Sequence, residues 1–417
     1  MVTVDTAQRV LPYLTVELPG VGGAIKRHDE DFVVEEVPLY PAAGAGTHVY
    51  FFVEKRGLPT LAAIRHVART LGRAPHEIGY AGLKDAHGVT RQWLSLEHED
   101  PARIESLSLG RVKVLRTDRH RNKIKLGHLA GNRFIIRIRE ARADAMGEAD
   151  AILSVLAARG VPNYFGPQRF GVRGDNAAIG RAILTGNYDE ALALILGRPA
   201  PVDQGPARRA RELFDRGDFQ AAADAWPRGV FAHQARVCRA LAKHRNARKA
   251  FGVVDRTLQR LYVSAFQSEL FNRVLARRIA TIDHIQDGDL AWKHANGACF
   301  RVEDAVAEQG RCEAFEISPT GPLFGRRMTE AGGEPGRVEG EVLAETGLSR
   351  EQLDVKQFGK LDGARRPLRV PLSDLSLTEG TDEHGPYLSV VFFLPAGAYA
   401  TNVLREVCKS DYDSGGA

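Results

Sequence analysis

The stretch 79–96, GYAGLKDAHGVTRQWLSL, decides how the rest of the chain is read. Its first half is a polar knot holding one carboxylate, Asp85, with Gly79, Gly82 and Gly88 around it. Glycine lets a backbone turn sharply and lets a ligand come close. The second half, TRQWLSL, alternates and is rich in β-formers, so it reads as a strand. Asp85 is therefore expected in a tight loop at the mouth of a sheet, a usual place for chemistry. Local composition alone favours a plainer reading, a surface turn with Lys84 and Asp85 as solvated charges.

Outward from this stretch, the bulk numbers set the class. A chain of 417 residues can bury a full core and is expected to hold two domains. Hydrophobic content of 44% and charged content of 26% are ordinary for a globular protein. The net charge is +5, and its distribution says more. Residues 111–139 carry Arg111, Lys113, Arg116, Arg119, Arg121, Lys123, Lys125, Arg133, Arg137 and Arg139 against Asp118 alone. Clustering of this kind is the footprint of a nucleic-acid binder. A second basic run, Arg236 to Lys249, reads as a solvated helix face. Cys238, Cys299, Cys312 and Cys408 form no CxxC pair and no metal spacing, so reduced thiols in a cytoplasmic protein are expected. No signal peptide and no run of about 20 apolar residues is present, so no membrane partner is expected.

Patterning places the elements. Residues 46–57 read as a strand, and 59–72 as an amphipathic helix with Ile64, Val67 and Leu71 on one face. Residues 111–117 and 123–129 read as a basic hairpin. GNRFIIRIRE (131–140) is a strand with Asn132, Phe134, Ile136 and Ile138 on one face. A helix is expected over 144–159, alanine-rich helices over 172–255, and a long helix over 256–279. Residues 280–345 read as strands and turns. The chain closes with a strand (387–395) and a helix (399–407). Asp29, Glu30 and Asp31 read as turn and cap chemistry.

Several of these segments share one resemblance. Residues 80–93 match Y/F-A-G-x-K-D-x-H-x-V-T-x-Q-W at Tyr80, Ala81, Gly82, Lys84, Asp85, His87, Val89, Thr90, Gln92 and Trp93. This is similar to the catalytic motif of the TruD family of tRNA pseudouridine synthases. The family's I-K-x-x-P-E-D-F-x-V-x-E is matched at Lys26, Glu30, Asp31, Phe32, Val34 and Glu36, with Asp29 in place of proline. Its N-x-F falls on Asn132 and Phe134, and its P-N-Y-F-G-x-Q-R-F-G on Pro162 to Gly171. Ser264, Ala265, Gln267, Ser268, Leu270, Phe271 and Asn272 match a segment read as packing, and RRPLRV (365–370) marks the family's return to its catalytic domain. The closing L-P-x-G-x-F/Y-A-T-x-x-L-R-E runs from Leu394 to Glu406, with Tyr399 where many relatives carry phenylalanine.

The resemblance implies an α/β (α+β) protein. A pseudouridine-synthase catalytic fold with a mainly antiparallel sheet would be built from residues 1–160 and 370–417. Residues 161–369 would form an inserted α+β domain. Asp85 would be the nucleophile of a uridine-to-pseudouridine isomerase, most readily at uridine 13 of tRNA. Phe32, Asn132, Phe134 and Tyr399 would hold the uridine. Lys26 is the candidate cation beside Asp85, with Lys84 and Arg91 as alternatives. Gln168 and Arg169 would either face the RNA or brace a junction. The chemistry needs no metal, nucleotide or redox cofactor, and none of those motifs is present. The expected partner is tRNA, and the expected state is a monomer. The competing reading is a non-catalytic RNA-binding protein or tRNA chaperone, which needs the basic strands but not Asp85.

Overall fold

The computed structural model describes residues 11–84, 86–353 and 362–410. It is a mixed α/β structure in two compact units. One spans Thr15–Val161 and resumes at Val370; the other holds Pro162–Arg369 with residues 11–14.

The first unit is built on a nine-stranded sheet. Its strands are β1 (Gly22–Ala24), β2 (Phe32–Pro38), β3 (His48–Arg56), β4 (Gly79–Tyr80), β5 (Val89–Glu97), β6 (Val112–His120), β7 (Leu129–Ala141), β8 (Ser373–Asp382) and β9 (Gly385–Pro395). The order is β8-β9-β7-β2-β5-β3-β6, with β1 also on β7 and β4 also on β5. Among the described residues of this sheet only β2 and β5 run parallel. The helices α1 (Thr60–Leu71), α2 (Pro101–Glu105), α3 (Ala145–Arg159) and α4 (Ala400–Cys408) complete it.

Period-two burial builds this sheet. Val49, Phe51 and Val53 of β3 pack with Leu94 and Leu96 of β5 against Ala63, Ile64, Val67 and Leu71 of α1. Each fully buried side chain of that size is worth about 1.5–3 kcal/mol. The helix stops where Gly72 takes a left-handed conformation (φ 69°).

The basic hairpin is corrected. Residues 112–120 are a strand on the sheet edge, but 123–128 do not pair with it. The Ile124 N–H donates instead to Ser95 Oγ, and the Gly127 N–H to the Ala81 carbonyl. Those bonds lay the segment along the motif before β7 begins. The reading of 280–345 is also corrected, because it contains two helices, Ala305–Glu313 and Gly333–Ala344. Asp304 caps the first by accepting from the Ala307 N–H at 3.0 Å.

A charge cluster centred on the buried Arg139 and Asp31 ties the first unit's sheet. The Arg139 guanidinium of β7 donates to Asp31 at 2.8 Å and to Asp382 of β8 at 2.7 Å. Arg137 reaches the same Asp382 at 2.9 Å. Arg139 holds the Asp382 carboxyl well below the usual carboxylate range. Asp31 also accepts from the His28 N–H, so the turn-and-cap expectation holds for it only in part.

The second unit packs seven helices between Asn176 and Arg278 around Leu192, Phe214, Trp226, Phe251 and Phe266. A four-stranded sheet joins them, ordered Cys299–Arg301, Leu290–Lys293, Ile317–Leu323, Ala364–Pro367. Inside it, Asn272 pins the 162–171 segment, accepting from the Phe165 N–H and donating to the Phe165 carbonyl, each at 2.9 Å. Arg169 donates to Ser264 and Ser268, each at 3.0 Å. These matched residues are bracing within this unit.

Candidate active site

Three neighbouring strands of the first unit form one wall. On β2 the buried positions alternate as Phe32, Val34 and Glu36. Their cross-strand partners on β7 are Ile136, Phe134 and Asn132. Phe392 of β9 lies opposite Phe134. Facing residues on paired strands share a sheet face, so three aromatics, an amide and a carboxylate are brought together. The Phe134 ring stacks on Phe392 at 5.3 Å and meets Phe32 edge-on at 6.4 Å. Lys26 turns in a left-handed conformation (φ 58°), and its Nζ sits 4.2 Å from the centre of the Phe32 ring. That is a cation–π contact.

Phe32, Phe134, Asn132 and Lys26 are thus neighbours. Tyr399 stands just before α4 and is 41% exposed. No hydrogen bond or ring contact joins it to that group among the described residues. Asp85 itself lies outside the described residues, but Lys84 before it is anchored.

Lys84 is the best-anchored residue of the motif. Its N–H donates to Thr60 Oγ1 at 2.9 Å, and that hydroxyl donates to Gln92 Oε1 at 2.8 Å. Its carbonyl lies 3.5 Å from the buried Lys55 Nζ, which also donates to the Leu58 carbonyl at 2.6 Å. Its own Nζ donates to Asn132 Oδ1 at 2.5 Å and pairs with Glu36 Oε2 at 3.0 Å. The other Glu36 oxygen accepts from the Trp93 N–H at 3.3 Å. Burial pushes the Glu36 carboxyl up, and the Lys84 ammonium opposes the push. On the far side of the loop, Gly88 has φ +110°, and a Cβ there would lie 2.4 Å from the Phe32 carbonyl oxygen. No other residue fits without moving that strand.

The alternative cations differ in their commitments. Lys84 is held by Glu36, and Arg91 by Glu54 at 3.0 Å and Glu35 at 3.4 Å. Burial acts to raise the Glu54 carboxyl, but Arg91 and Arg56 outweigh it and leave it lowered. Among the described residues no group of His, Cys, Asp or Glu is arranged to hold a metal ion. No helix among them is long and apolar enough to cross a membrane.

Thr60 and Lys55 were not singled out from sequence, and Glu36 and Gln92 entered only as motif matches with no role at the site. One signal was there. Phe32, Val34 and Glu36 share a period-two face, so a carboxylate on that face needs a buried partner.

The family model for tRNA pseudouridine synthase D (TruD) matches residues 10–407. The tRNA pseudouridine synthase D of Geobacter metallireducens is 48% identical over 95% of this chain and 97% of its own. That of Thermus thermophilus is 39% identical over 95% of this chain and 92% of its own. Among solved structures, the putative tRNA pseudouridine synthase D of Methanosarcina mazei superposes with a TM-score of 0.84 at 30% identity, covering 96% of each chain. With the family model matched along nearly its whole length and relatives this similar, the chain belongs to the TruD family of tRNA pseudouridine synthases.

Proposed function

We propose that this chain isomerises a uridine of tRNA, uridine 13 first among the candidates, to pseudouridine, with Asp85 as the nucleophile. The observation that carries the reading is the fixed setting of the motif. Lys84, bonded covalently to Asp85, is clamped at its N–H, carbonyl and ammonium beside a wall bearing Phe32, Phe134 and Asn132.

The reaction breaks the N1–C1′ bond, turns the uracil and joins C5 to C1′. The proton leaving C5 is balanced by one gained at N1, so atoms and electrons balance without an added reagent. Asp85 attacks in its ionised form, either at C6 or at C1′. A carboxylate of ordinary pKa near 3.9 is ionised at neutral pH, but an aromatic pocket would raise that value unless a cation stands by. Lys26, whose Nζ lies over the Phe32 ring, serves in this role. The target base leaves its stack at a cost of a few kcal/mol. Aromatic stacking returns about 1–3 kcal/mol per base, which Phe32, Phe134 and Tyr399 would supply.

The test is pseudouridine formation on unmodified tRNA by purified protein, with position mapping. Modification at one position is expected, persisting in EDTA while the tRNA stays folded. Asp85→Asn should abolish turnover and leave tRNA affinity within a few-fold, because phosphate contacts dominate affinity. Near-normal turnover by Asp85→Asn would sink the nucleophile assignment. Tight tRNA binding with no turnover by the unaltered chain would favour the non-catalytic RNA-binding reading.

A further inference from the structure

We infer that Lys84 is a positioning residue that fixes the Asn132 side-chain amide, so that Asn132 presents its NH2 as a donor to a carbonyl oxygen of the target pyrimidine. This rests on the synthase reading above and adds a residue to how the base edge is read.

The argument starts from what an ammonium can do. Lysine has three donors and no acceptor. Lys84 Nζ stands 2.5 Å from one terminal atom of the Asn132 amide. That atom must be the oxygen, because the reverse orientation would set NH2 against NH3+. The ambiguity that usually attends an asparagine amide is therefore removed by the chemistry of its neighbour. Lys84 is held in turn. Its side chain is 6% exposed, and Glu36, 1% exposed, pairs with it at 3.0 Å. Glu36 and Asn132 are cross-strand partners on β2 and β7, so one ammonium bridges both. The backbone of Lys84 is clamped by Thr60.

The Asn132 Nδ2 has no hydrogen-bond partner among the described residues, and the residue is half-buried. With Lys84 on one side of Oδ1, the unpartnered end of the amide is its NH2. It offers a donor, which suits the O2 or O4 of uracil. A base carrying an amino group at the contacted position would meet donor with donor.

Three proteins and three RNAs decide it. The proteins are the unaltered chain, Lys84→Met, and the double variant Lys84→Met with Glu36→Gln, which removes both charges together should the single change fail to fold. The RNAs carry uridine, 2-thiouridine or 4-thiouridine at the target position. Sulfur is a weak acceptor, so the unaltered protein should react about threefold to tenfold more slowly on one of the two thio-RNAs in single turnover. Without Lys84 the amide turns freely. The uridine rate should fall, and the uridine-to-thio ratio should move toward one. Lys84→Arg should recover part of the ratio. A ratio that stays the same in Lys84→Met and in the double variant overturns the proposal, as does an unaltered protein that reacts equally on all three RNAs.

A second readout needs no turnover. The Asn132 side-chain NH2 signals in a 15N–1H correlation, assigned through Asn132→Asp, should shift in Lys84→Met and in the double variant. Unmoved signals overturn the Lys84–Asn132 pairing. Shifted signals in a protein that makes no pseudouridine would instead overturn the synthase reading, and the base-reading step with it.

Discussion

At the scale of single residues, Phe134 has two roles that pull on one experiment. Its ring is 6% exposed and stacks on Phe392, so truncation leaves a cavity as well as removing a face for the base. Phe134→Ala should cost about 3–5 kcal/mol of stability. Its single-turnover rate, measured well below its melting temperature, should still fall while the salt slope of tRNA binding stays unchanged. A normal rate in the cold would confine Phe134 to the core. Glu36 offers a sharper test through pH. Its folded pKa is raised above the unfolded value, so the native state holds the proton more tightly there. A raised acid lends stability below about pH 4.5, and that stability is lost as pH climbs through the folded value. Lys84→Met removes the ammonium that restrains the rise. Its melting deficit should therefore widen as pH rises above about 4.5, and Glu36→Gln in the same chain should shrink it. A deficit flat with pH would mean that Glu36 takes no charge from Lys84.

Among the elements, the buried Arg139 links the 29–31 turn, β7 and β8. The depressed Asp382 carboxyl adds stability that is whole above its unfolded pKa near 4 and is lost as pH falls further, toward the folded value. Asp382→Asn should melt earlier at pH 7, and its deficit should narrow below about pH 4; melting curves across that range check it. Sequence patterning showed β3, β5, β7, β9, α1 and α3 because each alternates or cycles apolar residues toward one core. β8, SDLSLTEGTD, has no such face. Most of its side chains are exposed, and it is held by backbone pairing to β9, which leaves little trace in composition. The missed 123–128 path has a similar cause. Ser95 Oγ and the Ala81 carbonyl decide it, and both are distant in sequence. At the site, motif and family likeness pointed to Phe32, Asn132 and Phe134. The Lys84–Glu36 pair stayed hidden because a lysine beside an aspartate reads as solvated until its burial is known.

For the whole molecule, charge placement sets how RNA is approached. β6 is an edge strand, and Arg111, Lys113, Arg116, Arg121 and Lys125 on and beside it are exposed with no ion pair among the described residues. Charged edges also discourage pairing between sheets of different molecules. Arg111, Arg119 and Lys123 also donate to the Gly57, Gly46 and His76 carbonyls, and Arg116 lies over the Phe52 and Trp93 rings, which leaves Lys113, Arg121 and Lys125 as the plainest phosphate contacts. Changing Lys113, Arg121 and Lys125 to Gln should weaken tRNA binding and flatten its salt dependence, by about one unit of slope for each phosphate no longer neutralised. Titrations at several salt concentrations read this directly. An unchanged slope would move the RNA path away from β6.

The Arg139–Asp382 pair joins residues 243 positions apart, with nearly all of the second unit encoded between them. On a ribosome adding about 5–20 residues per second, roughly 12–50 s separate the two. Throughout that interval β7 has no β9 beside it, and the Phe134–Ile138 face waits for Phe392 and Val390. The nascent chain thus carries an open apolar strand edge for much of its synthesis. A ribosome stalled just before residue 370 would be expected to display that edge to chaperones, and one stalled after the full chain has emerged would not.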